Sequence, residues 1–115
     1  MTHVEYVAEG NRHKLTVQGH AGSAPIGQDL VCCAVSTLVQ TLAQRVLDLY
    51  SDGCVIGFPT TTLSADGSCI EAVGVGNGVT VRCAYETVTT GLKMLAEQWP
   101  QYVQVNICEI IPGAG

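Results

Sequence analysis

Residues 30–53, LVCCAVSTLVQTLAQRVLDLYSDG, place Val31, Val35, Leu38, Leu42, Val46 and Leu49 at intervals of about three or four before stopping at Ser51-Asp52-Gly53. That spacing gathers one apolar stripe on a helix from Leu30 to about Tyr50, and a glycine is the usual residue just past a helix end. A long helix with a single apolar face needs a flat surface to cover. Residues 3–9 and 13–19 provide one, because Val4, Tyr6, Leu15 and Val17 alternate with polar positions around the turn-forming Glu9-Gly10-Asn11-Arg12. Beyond the helix, residues 54–64 and 69–75 flank Ala65-Asp66-Gly67-Ser68, which predicts a second hairpin.

Residues 77–85 satisfy two periods at once. Val79, Val81, Cys83 and Tyr85 alternate as a strand would, while Val81, Tyr85, Val88, Leu92, Leu95 and Trp99 continue a helical stripe. Length favours a helix running to about Gln98, closed by Pro100, and Tyr102 to Ile110 then alternates as a last strand. The predicted order is ββαββαβ: an α+β two-layer sandwich with a largely antiparallel sheet packed by two helices.

A chain of 115 residues that is 47% hydrophobic is expected to form one domain, residues 1–115, with a real core. Five Lys and Arg against ten Asp and Glu give a formal charge of −5, which leaves no basic footprint for nucleic acid and suits a neutral or basic partner. Met1-Thr2-His3-Val4-Glu5-Tyr6 has no charged n-region or apolar h-region, and no stretch reads as a membrane span of about 18 apolar residues. The expected location is cytoplasmic. In that reducing compartment most of the six cysteines, at 32, 33, 54, 69, 83 and 108, read as small hydrophobes within apolar runs such as Asn106-Ile107-Cys108 rather than as a disulfide scaffold. With no C-x-x-C and no paired spacing among His3, His13 and His20, neither a metal nor another cofactor is expected.

Chemistry concentrates just before the first helix. His20 lies on a glycine-rich loop twelve positions ahead of Cys32, and an imidazole that can take a thiol's proton makes that thiol a nucleophile. At 100° per residue Cys32 falls about 80° from the centre of the apolar stripe, on a line with Ser36. Cys33 falls nearly opposite the stripe, with Thr37, Gln40 and Gln44. A nucleophile needs that edge position, reachable by substrate yet walled by protein. Asp29 reads as an N-cap that sets Cys32 in the first turn, where the helix dipole favours a thiolate and backbone N–H groups are free to hold an oxyanion, or as a residue that orients the imidazole. Gly22, Ser23, Ala24, Pro25, Ile26 and Gly27 read as a connection or as a substrate-gating loop. The plain alternatives are an inert thiol for Cys32 and a simple small helix residue for Ser36.

The sequence also resembles the ribosomal-processing cysteine proteases known as Prp. The likeness rests on Gly19-His20-Ala21, Gly27, Asp29-Leu30-Val31-Cys32, Ala34-Val35-Ser36 and Gln40-Thr41-Leu42. It continues through Gly91-Leu92-Lys93, Leu95-Ala96-Glu97-Gln98-Trp99-Pro100 and Tyr102-Val103, whereas Cys54 to Tyr85 is the least family-like stretch. The departures are Cys33, where alanine is usual, and Trp99, where tyrosine is common. The resemblance implies a homodimeric cysteine endopeptidase that removes a short N-terminal extension from large-subunit ribosomal protein twenty-seven during ribosome assembly. It further implies Cys32 as nucleophile, His20 as general base, Asp29 and Ser36 as supporting residues, and a mobile segment between His20 and Asp29. Two other classes stand beside it: a non-catalytic ribosome-assembly binding module, and a thiol redox protein using Cys32 and Cys33. The redox reading suffers because adjacent helical cysteines point about 100° apart.

Overall fold

The computed structural model describes residues 1–19, 26–64 and 66–110, and for residues 26–29 only the backbone. Its elements are β1 (Thr2–Glu9), β2 (Arg12–Gln18), α1 (Ile26–Ser51), β3 (Thr60–Leu63), β4 (Gly67–Val73), α2 (Val79–Gln98) and β5 (Val103–Ile110), the expected ββαββαβ order. One five-stranded sheet runs β3-β4-β2-β1-β5, antiparallel at every pairing except β1 with β5.

This order puts both helices on one face. α1 joins β2 to the parallel strand β3, stepping over β4, while α2 joins β4 to the parallel strand β5, stepping over β2 and β1. Because β2 and β4 are antiparallel and the two crossovers travel in opposite directions, a right-handed turn in each brings the helices to the same side. The alternation of the strands agrees: Val4, Tyr6, Ala8, Leu15, Val17, Ile70 and Ala72 are buried beneath the helices, and Val31, Val35, Val39, Leu42, Val46 and Leu49 of α1 face them. The opposite face is polar and carries the Arg12–Glu71 ion pair at 3.6 Å.

Several expectations are corrected. α1 begins at Ile26, four residues before Leu30, so Ile26 and Gly27 belong to the helix and Asp29 lies inside its first turn rather than at its cap. Residues 54–59 do not form a strand. They are tied to the sheet by the Val55–Gly74 bridge alone, since Gly57 turns at φ +73° and Pro59 has no N–H to give a ladder. The ambiguous stretch is helical from Val79, whose N–H is accepted by Asn77 Oδ1, and Val81, Tyr85, Val88 and Leu92 form its buried stripe. Gly91 lies where a Cβ would come within 3.1 Å of Leu38, so its bareness permits the close approach of α2 to α1. By length and composition Leu30–Ser51 could cross a membrane, contrary to the sequence reading, but Val31, Val35, Val39, Leu42, Val46 and Leu49 of its apolar face are buried in the core.

Candidate active site

Cys32 is half-buried on the flank of α1 and Cys33 is exposed beside it, as the helix phasing requires. Ser36, four residues on, keeps the side of Cys32. Both line a cavity of about 350 Å³ between α1 and the sheet.

Three other elements complete the wall. Thr2 of β1 and Val17 of β2 form the floor, Gly19 stands where β2 ends, and Leu63, Ser64, Gly67 and Ser68 come from the hairpin of β3 and β4. That hairpin is closed by Ser64, whose N–H donates to the Gly67 carbonyl at 3.1 Å and whose Oγ donates to the same oxygen at 2.6 Å. Gly19 has φ +84°, and a Cβ there would run into the Met1 carbonyl, so only glycine lets the chain leave the sheet at this point. His20 is its next residue in sequence.

Among the described lining residues none is charged, and the polar groups are a thiol, hydroxyls and the Gln40 amide. Such a surface can hydrogen-bond a peptide backbone while leaving one soft nucleophile at its edge. It offers no donor set for a cation: among the described residues no three of His, Cys, Asp and Glu gather together.

The sequence-derived site divides accordingly. Cys32 and Ser36 meet in one cavity. Cys32 is the seventh residue of α1, in its second turn, so the expected first-turn placement is replaced and the free N–H groups of the helix start lie a full turn away. His20, Gly22, Ser23, Ala24 and Pro25 lie outside the described residues, as does the side chain of Asp29. Gln40, assigned by phasing to the Cys33 line, reaches the cavity. The contribution of β3 and β4 was missed. Its only signal in the sequence was the turn at residues 65–68, and a turn does not say which helix its hairpin will face. The cysteines also depart from the reading of small hydrophobes, because Cys33, Cys83 and Cys108 are exposed and Cys32, Cys54 and Cys69 are intermediate, all six being free thiols.

Among the described residues, the groups moved from their ordinary pKa values lie elsewhere, at and under α2. His13 is wholly buried, Tyr6 Oη and His13 Nδ1 are hydrogen-bonded at 2.7 Å, and Tyr85 donates to the Ile70 carbonyl at 2.9 Å. Burial, followed by the positive charge of Arg82, holds the His13 imidazolium pKa below its ordinary value. Burial likewise pushes the Tyr6 hydroxyl up to about 12 and raises that of Tyr85.

The family model described as cysteine protease Prp matches residues 1–104. Among solved structures, SMU.848 from Streptococcus mutans is similar at 25% identity and a TM-score of 0.69, covering 96% of each chain. The ribosomal processing protease Prp from Staphylococcus aureus, in complex with a substrate peptide, is similar at 17% identity and a TM-score of 0.71, covering 93% of this chain and 99% of its own. The same protease with a covalently linked product peptide gives 16% identity and a TM-score of 0.70. No curated protein matches.

Proposed function

Because this chain belongs to the Prp family of cysteine proteases and is therefore a peptidase, we propose that it removes the short N-terminal extension of large-subunit ribosomal protein twenty-seven during ribosome assembly, with Cys32 as nucleophile and His20 as general base. The observation that carries this is the position of Cys32. It is the only cysteine among the described wall residues of a cavity otherwise furnished with groups suited to a peptide backbone.

The chemistry proceeds by acyl transfer. His20 takes the Cys32 proton, and the thiolate attacks the scissile carbonyl carbon to give a tetrahedral oxyanion. Collapse breaks the C–N bond as the imidazolium protonates the leaving amine, and water then hydrolyses the thioester to free the thiol. Since the N–H groups around Cys32 belong to the helical ladder, the oxyanion's donors are sought among Ser36, Gln40, Ser64 and Ser68, which share its cavity. Asp29 is assigned to orienting the imidazole. Gly22 to Pro25, continuing into Ile26 and Gly27 at the start of α1, are assigned to gating the cavity.

The rest of the reading follows from the substrate. The net charge of −5 attracts a basic ribosomal protein over long range, an attraction that salt weakens. Cytoplasmic residence, a homodimeric state and the absence of any cofactor go with it. The redox alternative is disfavoured because Cys32 and Cys33, adjacent on α1, point to different sides of the helix.

The test is incubation with a peptide spanning the extension of the host's own ribosomal protein twenty-seven, read by mass spectrometry. Cys32→Ala and His20→Ala should each lower kcat/KM by about 10³-fold or more, and Cys33→Ala should stay within about twofold. An intact peptide after incubation with wild-type enzyme, or undiminished cleavage by Cys32→Ala, overturns the proposal.

A further inference from the structure

The cavity beside Cys32 does not end at Gln40 and Leu63. Both residues also line a second hollow of about 660 Å³, which continues along α1 past Thr41 and Gln44 to Asp48, with Thr61 of β3 on its other wall. A groove therefore leads from the thiol along the outermost strand of the sheet.

The backbone of that strand can be phased. The Ser64 N–H bonds to the Gly67 carbonyl, so Ser64 and Gly67 form a hydrogen-bonded pair. Alternation along an antiparallel ladder then makes Thr62–Cys69 and Thr60–Glu71 bonded pairs as well, and turns the N–H and C=O groups of Thr61 and Leu63 away from β4. Among the described residues β3 has no neighbour on that side. The same two residues place their side chains on the helix-facing surface, opposite Ile70 and Ser68. One edge thus presents two outward donors and two outward acceptors beside a groove that opens onto Cys32.

We propose that the substrate docks as an added strand on the free edge of β3, in the groove between β3 and α1, with its scissile bond delivered to Cys32. The occupant follows from continuity: a chain whose carbonyl reaches the thiol and extends away along this groove has an extended peptide's dimensions, β3 spanning about 13 Å over its four residues. Main-chain hydrogen bonds to Thr61 and Leu63 supply affinity without regard to sequence. Alternate side chains of the peptide enter the groove, and there Leu63, 48% exposed, and the Gln40 and Gln44 amides select among them. This rests on the protease reading for the identity of the occupant.

The experiment measures binding of the extension peptide to the Cys32→Ala protein by fluorescence anisotropy, with two perturbations. Thr61→Pro in that background removes one outward N–H and leaves every β3–β4 hydrogen bond in place, and should weaken binding roughly five- to tenfold. Independently of any effect on folding, a scan of N-methyl groups along the peptide backbone should weaken binding at every second position and spare those between. Uniform tolerance of N-methylation overturns the added strand, as does unchanged affinity with Thr61→Pro. So does a Thr61→Pro protein that binds peptide normally but changes from dimer to monomer in light scattering, which would assign the edge to a second copy of the chain. Alternating sensitivity in a peptide that wild-type enzyme leaves intact would uphold the docking mode and sink the protease assignment. Absence of binding sinks both.

Discussion

Under the middle of α2 three aromatic rings fill the space against the sheet, whereas under the first turns of α1 a gap remains. Tyr6, His13 and Tyr85 stack beneath α2 with ring centroids 5.3 to 6.0 Å apart, and their polar atoms are mostly bonded within the protein. Beneath the first turns of α1 the sheet instead meets small polar side chains, and a cavity remains with Cys32 at its edge. The two regions use the same scaffold for different ends. Large aromatics fill the space against the sheet at one place, and at the other Ser36, Ser64 and Ser68 are too short to fill the gap that a substrate needs.

The sharpest way to break this contrast is to open the filled region. Tyr85→Ala removes a fully buried ring that stacks on two others and should cost about 3–5 kcal/mol, measured by denaturant unfolding. Tyr85→Phe keeps the ring and loses only the bond to Ile70, for about 1 kcal/mol. A small loss with Tyr85→Ala would mean that α2 is held elsewhere.

The filled region is also the more legible of the two in the sequence. A stripe such as Val81, Tyr85, Val88 and Leu92 states its own burial, because the period of a helix and the apolarity of its face are local properties. The same holds for Val31 to Leu49, and the phase of that stripe alone sends Cys32 and Cys33 to different sides of the helix. Boundaries are harder. Asp29 has the chemistry of a cap, yet α1 starts at Ile26, directly after a proline in sequence, a residue type as suited to a helix beginning as aspartate is. The far wall of the cavity is not legible at all, since the meeting of β3 and β4 with α1 depends on strand order, and no residue of that hairpin encodes its partner. His13 illustrates a third limit. A lone histidine in a strand gives no sign that its ring will stack on two tyrosines until the register of β1 and β2 and the seat of α2 are known.

A second probe of the contrast is pH. His13 is held neutral in the fold by burial first and by Arg82 next, against a smaller opposing effect of Glu86 and Glu109, so its folded pKa lies below the 6.5 of an exposed histidine. The unfolded chain therefore takes up its proton first as pH falls. The stability that His13 contributes is complete above about pH 6.5 and declines below it, toward the folded pKa. His13→Phe should keep the ring packing and flatten this slope relative to wild type in unfolding curves taken between pH 7 and 5. Parallel slopes would show that His13 takes up its proton without disturbing the stack.

The smallest effect on stability is expected on the open side, at Ser36. Its side chain is exposed on α1 and lines the cavity without filling it, so Ser36→Ala should leave the unfolding free energy within about 0.5 kcal/mol of wild type. Cleavage should nonetheless fall by roughly two- to tenfold in kcat/KM, because one turn from Cys32, the proposed nucleophile, a lost hydroxyl removes a hydrogen bond that substrate or its oxyanion would accept. The two readouts must separate. A variant that lost stability while cleaving normally would make Ser36 part of the scaffold, and the open region would then begin at β3 and β4 rather than at the helix that carries the thiol.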